Sequence, residues 1–290
     1  MVEPAKVIAE IGCNHKGDIN IAKEMIETAK YFCKIYAVKF QKRNPKECLT
    51  KEEYNKPHPV SYHSYGKTYG EHREFLEFTI DQHRKLKTYC DQLGIIYSSS
   101  VWDLTSAKEI ISLNPEYIKI PSACNTNFKM LKYICDNYQG DIHISLGMTN
   151  HKEEENIVNF LKEKNRNKDT VLYACTSGYP VPDKDVCLFE IKRLRKKFLK
   201  DVKAIGFSGH HNGIAIDVAA FVIGAQYIER HFTLNRTWRG TDHAASLEPD
   251  GLRRVARDIK SVAETLCYKD KEILDIEEEQ RKKLKWNCKK

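Results

Sequence analysis

Two short apolar runs late in this chain each end in a histidine: Gly206-Phe-Ser-Gly-His210 and Tyr227-Ile-Glu-Arg-His231. An acidic pair, Asp242-His243, follows inside Gly240-Thr-Asp-His-Ala-Ala-Ser-Leu-Glu-Pro249. If the two runs are neighbouring parallel strands, His210 and His231 leave the sheet side by side. Paired imidazoles at one edge are the beginning of a divalent metal site. His211 adjoins His210, and the sequence leaves open which of the two faces the site. Histidines 15, 58, 63, 72, 83, 143, 151 and 243 lack such a partner and read mostly as surface or supporting groups.

Two lysines are the second signal. Lys39 lies in Ala37-Val-Lys-Phe40 and Lys119 in Tyr117-Ile-Lys-Ile120. An ammonium among apolar strand neighbours is costly unless it meets an anion, from a ligand or from a structural ion pair. Hydroxyls fall at the ends of several runs: Ser100, Ser122, Ser145, Ser177 and Ser208, with Tyr179 close behind. Together with the lysines they suit a phosphate and a carboxylate, held by side chains and not by a glycine-rich cradle. Glu10 ends the first run, and Gln41 lies two residues beyond Lys39, on the same face of its strand.

The elements that carry these groups alternate. Strand-like runs over 6–12, 36–41, 95–100, 117–122, 141–147, 171–177, 202–208 and 226–233 are followed by amphipathic stretches such as 21–30 and 252–262. Strand, helix, strand without interruption predicts a parallel sheet with right-handed crossovers. Eight units predict a single (β/α)8 barrel, with the site at the C-terminal ends of the strands. No Gly-x-Gly-x-x-Gly turn follows the first strand, which argues against a dinucleotide fold. The expected division is a barrel over residues 1–267 and a charged helical tail over 268–290. A polar segment from Lys42 to about Glu77, holding Tyr62, His63, Tyr65, Tyr69 and His72, reads as a lid over the second strand end.

Composition narrows the partners. No apolar stretch is long enough to span a bilayer, and Met1-Val-Glu-Pro-Ala-Lys6 has no secretory core, so a cytoplasmic protein is expected. The ten cysteines are scattered without a Cys-x-x-Cys pair, as small core residues of a reducing compartment are. The net charge of +8 is concentrated in Lys192-Arg-Leu-Arg-Lys-Lys197 and Arg281-Lys-Lys-Leu-Lys285. With no aromatic interleaving and no binding module, these runs read as solvated helix faces, not a nucleic-acid surface.

The motifs, taken in order, resemble those of the N-acetylneuraminate (sialic acid) synthase family. They are Ile8-Ala-Glu-Ile-Gly-Cys-Asn-His-Lys-Gly17, Val38-Lys-Phe-Gln41, Lys119-Ile-Pro-Ser122, Ser145-Leu-Gly-Met148, Gly206-Phe-Ser-Gly-His210, Glu229-Arg-His-Phe232 and Asp242-His-Ala-Ala-Ser-Leu-Glu-Pro249. The resemblance implies condensation of phosphoenolpyruvate with an open-chain aldose, with a divalent metal, Mn2+ first and Mg2+ or Co2+ next, on His210 and His231. It places Lys39, Lys119 and Ser100, Ser122, Ser145, Ser177 and Ser208 on phosphate and carboxylate. It places Glu10, Gln41, Tyr179 and Asp242 near sugar and water, with Glu10 or Asp242 handling protons. A homo-oligomer is expected by analogy with barrel enzymes.

Three departures from the family pattern stand out. Cys124 occupies a position where relatives often carry an acid, and Gly209 replaces an Asp before the metal histidine, loosening support for His210. Relatives also usually add an antifreeze-like domain that recognises the N-acyl group. The sequence ends at Lys290 after the charged tail, so a plain or differently decorated aldose is also expected. The alternatives are a 3-deoxy-octulosonate or 3-deoxy-heptulosonate phosphate type of condensation, with Arg43 or His72 binding a sugar phosphate, and a non-catalytic sugar- or anion-binding barrel. A metal-dependent isomerase or nuclease would want more carboxylate ligands than the strand ends offer.

Overall fold

In the computed structural model, which describes residues 2–286, eight parallel strands close into a barrel in sequence order. They are β1 Lys6–Gly12, β2 Ala37–Lys42, β3 Ile96–Val101, β4 Tyr117–Ile120, β5 Asp141–Ser145, β6 Thr170–Cys175, β7 Ala204–Gly209 and β8 Tyr227–His231. The chain is therefore a (β/α)8 barrel, as the alternation of runs predicts. β4, β5, β6 and β8 stop two residues short of the expected ends; in β4 the cause is Pro121, which has no N–H for the ladder. Ser122, Ser145, Ser177 and His210 consequently sit at strand termini or in the turns just beyond.

Strand alternation sorts the side chains into two cores. Val7, Ala9 and Ile11 of β1 join the large cluster between barrel and helices, while Ile8 faces the axis. Inside the barrel, Ile8, Ala37, Tyr117, Val171, Tyr173, Ala204 and Tyr227 form a small apolar layer. His143 stacks on Tyr117 at 4.0 Å and takes a 2.8 Å hydrogen bond with the Tyr173 hydroxyl. This aromatic layer closes the barrel from below, and the next inward layer up is polar.

The helices behave as their periodicity requires. Pro249–Thr265 buries Leu252, Val255, Ile259 and Ala263, spaced by three and four. The helix predicted over 21–30 runs Ile19–Glu27, with Asp18 accepting the Asn20 N–H, and then relaxes into a π-helical segment Thr28–Cys33. Helix Phe189–Phe198 buries Ile191, Leu194 and Phe198 and leaves Lys192, Lys196 and Lys197 in solvent, which accounts for the first basic run.

Helix Asp275–Leu284 buries no residue, and the last four residues of the expected tail lie outside the described residues. Among the described residues no helix is long and apolar enough to cross a membrane.

The long excursion after β2 is not an irregular loop. It holds short helices Pro45–Cys48, Lys51–Asn55 and Tyr69–Leu76, the last two started by Thr50/Glu53 and Thr68/Glu71 capping boxes. It folds over the barrel mouth and meets the segment after β8. The Tyr65 hydroxyl donates to the Arg239 carbonyl (2.6 Å), and the Gly240 N–H donates to His63 Nδ1 (3.2 Å).

Candidate active site

A cavity of about 670 Å³ opens at the C-terminal ends of the strands, and all thirteen candidate residues from the sequence line it. Strand register explains their meeting. Glu10 pairs with Lys39 on one side and with His231 on the other, Gln41 with Ser100, Ser100 with Lys119, and Ser208 with Glu229.

The floor is a buried charge network. Lys39 Nζ lies 2.5 Å from Glu10 Oε2, 2.7 Å from Ser100 Oγ and 3.8 Å from Glu229 Oε2. Lys119 Nζ lies 3.0 Å from the same Glu229 oxygen and 3.4 Å above the Tyr173 ring, and Ser208 donates to Glu229 Oε1 at 3.0 Å. Two lysines thus face two glutamates, so the floor carries no large net charge before a ligand enters.

The two carboxyls are driven apart. Burial, with Glu229 nearby, pushes Glu10 up to about 7 against the pull of Lys39. Burial acts on Glu229 in the same sense, but two lysines and Ser208 outweigh it and hold Glu229 well below the usual carboxylate range. Burial lowers the Lys119 ammonium despite Glu229, while for Lys39 the two carboxylates prevail over burial and raise it. The sequence reading passed over Glu229 as a working residue. Its spacing of two from His231 was the available signal.

Beside the floor, hydroxyls converge at one glycine. Ser122 Oγ accepts the Gly147 N–H at 3.0 Å. A Cβ at position 147 would lie 2.5 Å from Ser177 Oγ and 2.7 Å from Ser122 Oγ. Only a glycine at 147 leaves both hydroxyls their place, so the corner is built from side chains packed around one residue of the β5 turn. Cys175 also faces this corner and was read from the sequence as core. Burial alone would raise its thiol, but contacts with His210 (4.0 Å) and Ser122 (3.8 Å) bring it below its ordinary value.

The histidine pair stands on the other side of Cys175, with ring centroids 5.3 Å apart and Tyr179 against both, 4.4 Å from His210 and 5.6 Å from His231. His210 Nδ1 donates to the Thr176 carbonyl (2.9 Å), which leaves Nε2 as the lone-pair nitrogen. His231 Nδ1 is buried without a hydrogen-bond partner and lies 3.8 Å from Asp242 Oδ2. Burial keeps His231 towards its neutral form against the pull of Asp242. Burial would also raise the Asp242 carboxyl, but His231 and Arg73 hold it lower.

Two imidazoles and an adjacent carboxylate make a donor set that fits a borderline divalent cation. Among the described residues no three His, Cys, Asp or Glu side chains are already gathered closely enough to enclose one. Water and substrate oxygens would complete the shell.

Supporting residues settle several readings. His211 points away from the cavity: it is fully buried against Arg230 (2.9 Å), which also pairs with Asp217. The expectation that Gly209 loosens His210 is corrected by the Thr176 carbonyl. A Cβ at 209 would also lie 2.8 Å from the rings of His211 and Phe207. Cys124 lies outside the main cavity, its thiol on the Trp102 carbonyl at 3.2 Å.

Of the unpaired histidines, His15, His72, His83, His143 and His243 are supporting groups inside the fold, each 1% exposed or less, while His151 is at the surface. His15 stacks on Phe78 at 3.9 Å, and His243 bonds Thr233 Oγ1 at 2.8 Å. Asn14 spans the closing loop, donating to the Phe232 carbonyl (2.8 Å) and Ser246 Oγ (2.9 Å), while Ser246 donates to the Asp242 carbonyl (2.6 Å). Asp242 is therefore placed from the turn after β1.

Comparison with known proteins gives the family. The NeuB family matches residues 25–271. The chain is 39% identical to N-acetylneuraminate-9-phosphate synthase of Mus musculus over 274 residues, 94% of this chain and 74% of the relative. It is 34% identical to N,N'-diacetyllegionaminic acid synthase of Campylobacter jejuni over 261 residues, 90% of this chain and 77% of that one. The crystal structure of N-acetylneuraminic acid synthetase from Leptospira borgpetersenii serovar Hardjo-bovis in complex with citrate superposes with a TM-score of 0.81 at 28% identity, covering 97% of this chain and 93% of that one.

Proposed function

The chain belongs to the NeuB family, and from that premise we propose that it condenses phosphoenolpyruvate with an open-chain aldose related to N-acetylmannosamine. The products are a sialic acid-type 3-deoxy-2-keto acid and phosphate. The observation that carries the reading is the buried Glu10–Lys39–Lys119–Glu229 network beside converging serine hydroxyls and the His210–His231 pair.

Lys39 and Lys119 are the cations that meet the phosphate and carboxylate of phosphoenolpyruvate, with Ser122, Ser145 and Ser177 donating hydroxyls around the Gly147 turn. These donors are fixed before reaction and cost no reorganisation as charge shifts. A divalent cation such as Mn2+, held by His210 and His231, would supply Lewis-acid polarisation of the aldehyde oxygen. Carbon 3 of phosphoenolpyruvate attacks the aldehyde carbon, leaving an oxocarbenium at carbon 2. Water adds there, and phosphate departs with its bridging oxygen by C–O cleavage. Glu10, with its carboxyl near 7, is matched to exchange the proton of that water. Asp242 and Gln41 orient sugar hydroxyls, and Tyr179 covers the histidine side.

The two sequence relatives named above differ in whether the product in their name carries a phosphate. The test is phosphate release from phosphoenolpyruvate with Mn2+ and a sugar panel: N-acetylmannosamine, its 6-phosphate, mannose, arabinose 5-phosphate and erythrose 4-phosphate. Sugar-dependent release, with a product of the summed mass less phosphate, is expected. Phosphate release that ignores the sugar, or none with any of them, would remove the condensation reading.

A further inference from the structure

The two histidines of the cavity have a counterpart behind the sheet. Successive residues of a strand point to opposite faces, so His231 turns inward and Arg230 outward. Just past β7, His210 and His211 divide in the same way: only the first of each pair with its ring in the cavity lines it. The outward residues meet Asp217 in the layer between β7, β8 and helix Ala215–Val222, where all three side chains are buried.

Arg230 is the tie between them. Its Nη2 donates to the His211 carbonyl at 2.6 Å. Its Nη1 faces Asp217 Oδ2 at 2.5 Å, His211 Nε2 at 2.9 Å and the Gly213 carbonyl at 3.0 Å. One guanidinium on β8 therefore grips both the main chain and the side chain of the turn after β7. Asp217, in the first turn of the helix, balances its charge. Gly209 makes the room: a Cβ there would lie 2.8 Å from the rings of His211 and Phe207, which stack on each other.

Stability alone is a poor account of this network. Arg230 Nε, His211 Nδ1 and Asp217 Oδ1 are buried without hydrogen-bond partners. Apolar residues of similar volume commonly replace a buried ion pair at no cost, and orphaned polar atoms add a penalty. What a planar fork supplies is direction, since its donors fix the distance and angle of what they hold. The turn has use for that. Towards β6, His210 is fastened twice, by Nδ1 on the Thr176 carbonyl and by its own carbonyl on the Val181 N–H at 3.0 Å. Towards β8, His231 Nδ1 makes no hydrogen bond, and the two rings stand 5.3 Å apart.

We propose that Arg230, with His211 and Asp217, sets the separation of His210 and His231 from behind the sheet, and so tunes their affinity for a divalent cation. The inference rests on the reading of that pair as the ligands of the cation. Arg230, His211 and Asp217 are positioning residues, since none of them lines the cavity. Without the fork, the turn after β7 shifts against β8 while both imidazoles remain. The cation then keeps its ligands and loses their spacing.

The experiment follows Mn2+ by electron paramagnetic resonance of the free ion, and phosphoenolpyruvate by calorimetry on the metal-free protein. Arg230→Lys keeps a charge beside Asp217 but not the planar fork. Its Mn2+ affinity should fall on the order of 10-fold, the lower end for lost support behind a ligand, with phosphoenolpyruvate binding unchanged. His211→Leu, which offers Nη1 no acceptor, should weaken Mn2+ in the same sense. His211→Gln, whose amide oxygen can replace Nε2, should recover most of the wild-type affinity.

Equal losses for Mn2+ and phosphoenolpyruvate in Arg230→Lys would show a general loosening of the fold and overturn the positioning role. Mn2+ affinity that is the same in the wild type and every variant overturns it too. A wild-type chain that binds no Mn2+, or binding that survives both His210→Ala and His231→Ala, removes the ligand reading and this inference with it. If Arg230→Lys does not fold, or the metal-free protein takes up no phosphoenolpyruvate, the His211 variants decide. Weaker Mn2+ binding in His211→Leu than in His211→Gln upholds the role, and equal binding ends it.

Discussion

Glu10 and Lys39 face each other across the β1–β2 register, with Oε2 and Nζ 2.5 Å apart at the base of the cavity. Glu229, on the far side of the same lysine, contacts Lys119 as well and accepts from Ser208. Equal chemistry in unequal surroundings yields unequal carboxyls. Glu229 is fixed as an anion, and Glu10 is free to exchange a proton near neutrality. A pair of titratable groups pushed apart in this way is a physical signature of divided acid–base roles.

The pH profile follows. Glu10 titrates at about 7, raised chiefly by burial, so its ionised form, able to take a proton from water, is depleted below that pH. kcat/KM should therefore fall as pH drops through about 7, with Glu10→Gln lowering the rate on the order of 10²–10⁴-fold and erasing the limb. Stability runs the other way. A carboxyl raised by folding contributes most below its unfolded value of 4.5 and loses that contribution as pH rises through about 7. A wild-type rate that is flat between about pH 6 and pH 8 would remove Glu10 from this role.

Removing one charge from the network should cost more than removing two. Lys119→Met leaves Glu229 buried beside Lys39 alone, and breaking such a pair destabilises by roughly 3–5 kcal/mol. Lys119→Met with Glu229→Gln should recover a large part of that loss in thermal unfolding while remaining inactive. Additive losses in the double variant would mean that the two residues are not energetically coupled.

The barrel was legible because inward polar residues interrupt apolar runs at strand ends, and period-two alternation then carries Glu10, Lys39, Lys119 and His231 to one rim. Capping boxes at Thr50/Glu53 and Thr68/Glu71 were equally readable as helix starts inside the excursion and were passed over. What one sequence could not give was partnership. Glu229 gains its role from two lysines on other strands. Cys175 looks like a core thiol until β7 sets His210 beside it. Which histidines support the interior depends on partners as well: His83 and His143 each meet a tyrosine hydroxyl from a neighbouring strand, at 2.7 and 2.8 Å, so imidazole can replace a hydrophobe there.

The histidine pair gives a prediction independent of turnover. Mn2+ binding, followed by electron paramagnetic resonance of the free ion, should weaken at least 10-fold in His210→Ala and in His231→Ala, the expected scale for loss of a ligand or its close support. Asp242→Asn should weaken it less, because Asp242 contacts His231 at 3.8 Å. Unchanged Mn2+ affinity in both alanine variants would assign the pair to substrate contact instead. Affinity should also fall at acid pH, since a protonated imidazole is no ligand.

Gly147 supplies the sharpest steric test of the anion cradle. Its Cα lies where a methyl group would approach Ser177 Oγ to 2.5 Å and Ser122 Oγ to 2.7 Å, closer than such contacts are tolerated. Gly147→Ala must therefore push both hydroxyls outward, and a positioned donor displaced by a fraction of an ångström loses most of its value to a bound anion. The surroundings are polar and open to the cavity, so the fold should lose no more than about 1–3 kcal/mol, the usual cost of one added methyl. KM for phosphoenolpyruvate should rise at least 10-fold, with a smaller change in KM for the sugar, which meets the histidine pair. Ser122→Ala removes one hydroxyl but leaves the space, so its effect should be smaller than that of Gly147→Ala. If Gly147→Ala instead raises both KM values equally, or leaves phosphoenolpyruvate binding untouched, the anion does not sit at the β5 turn, and the lysine pair must hold it from the other side of the floor.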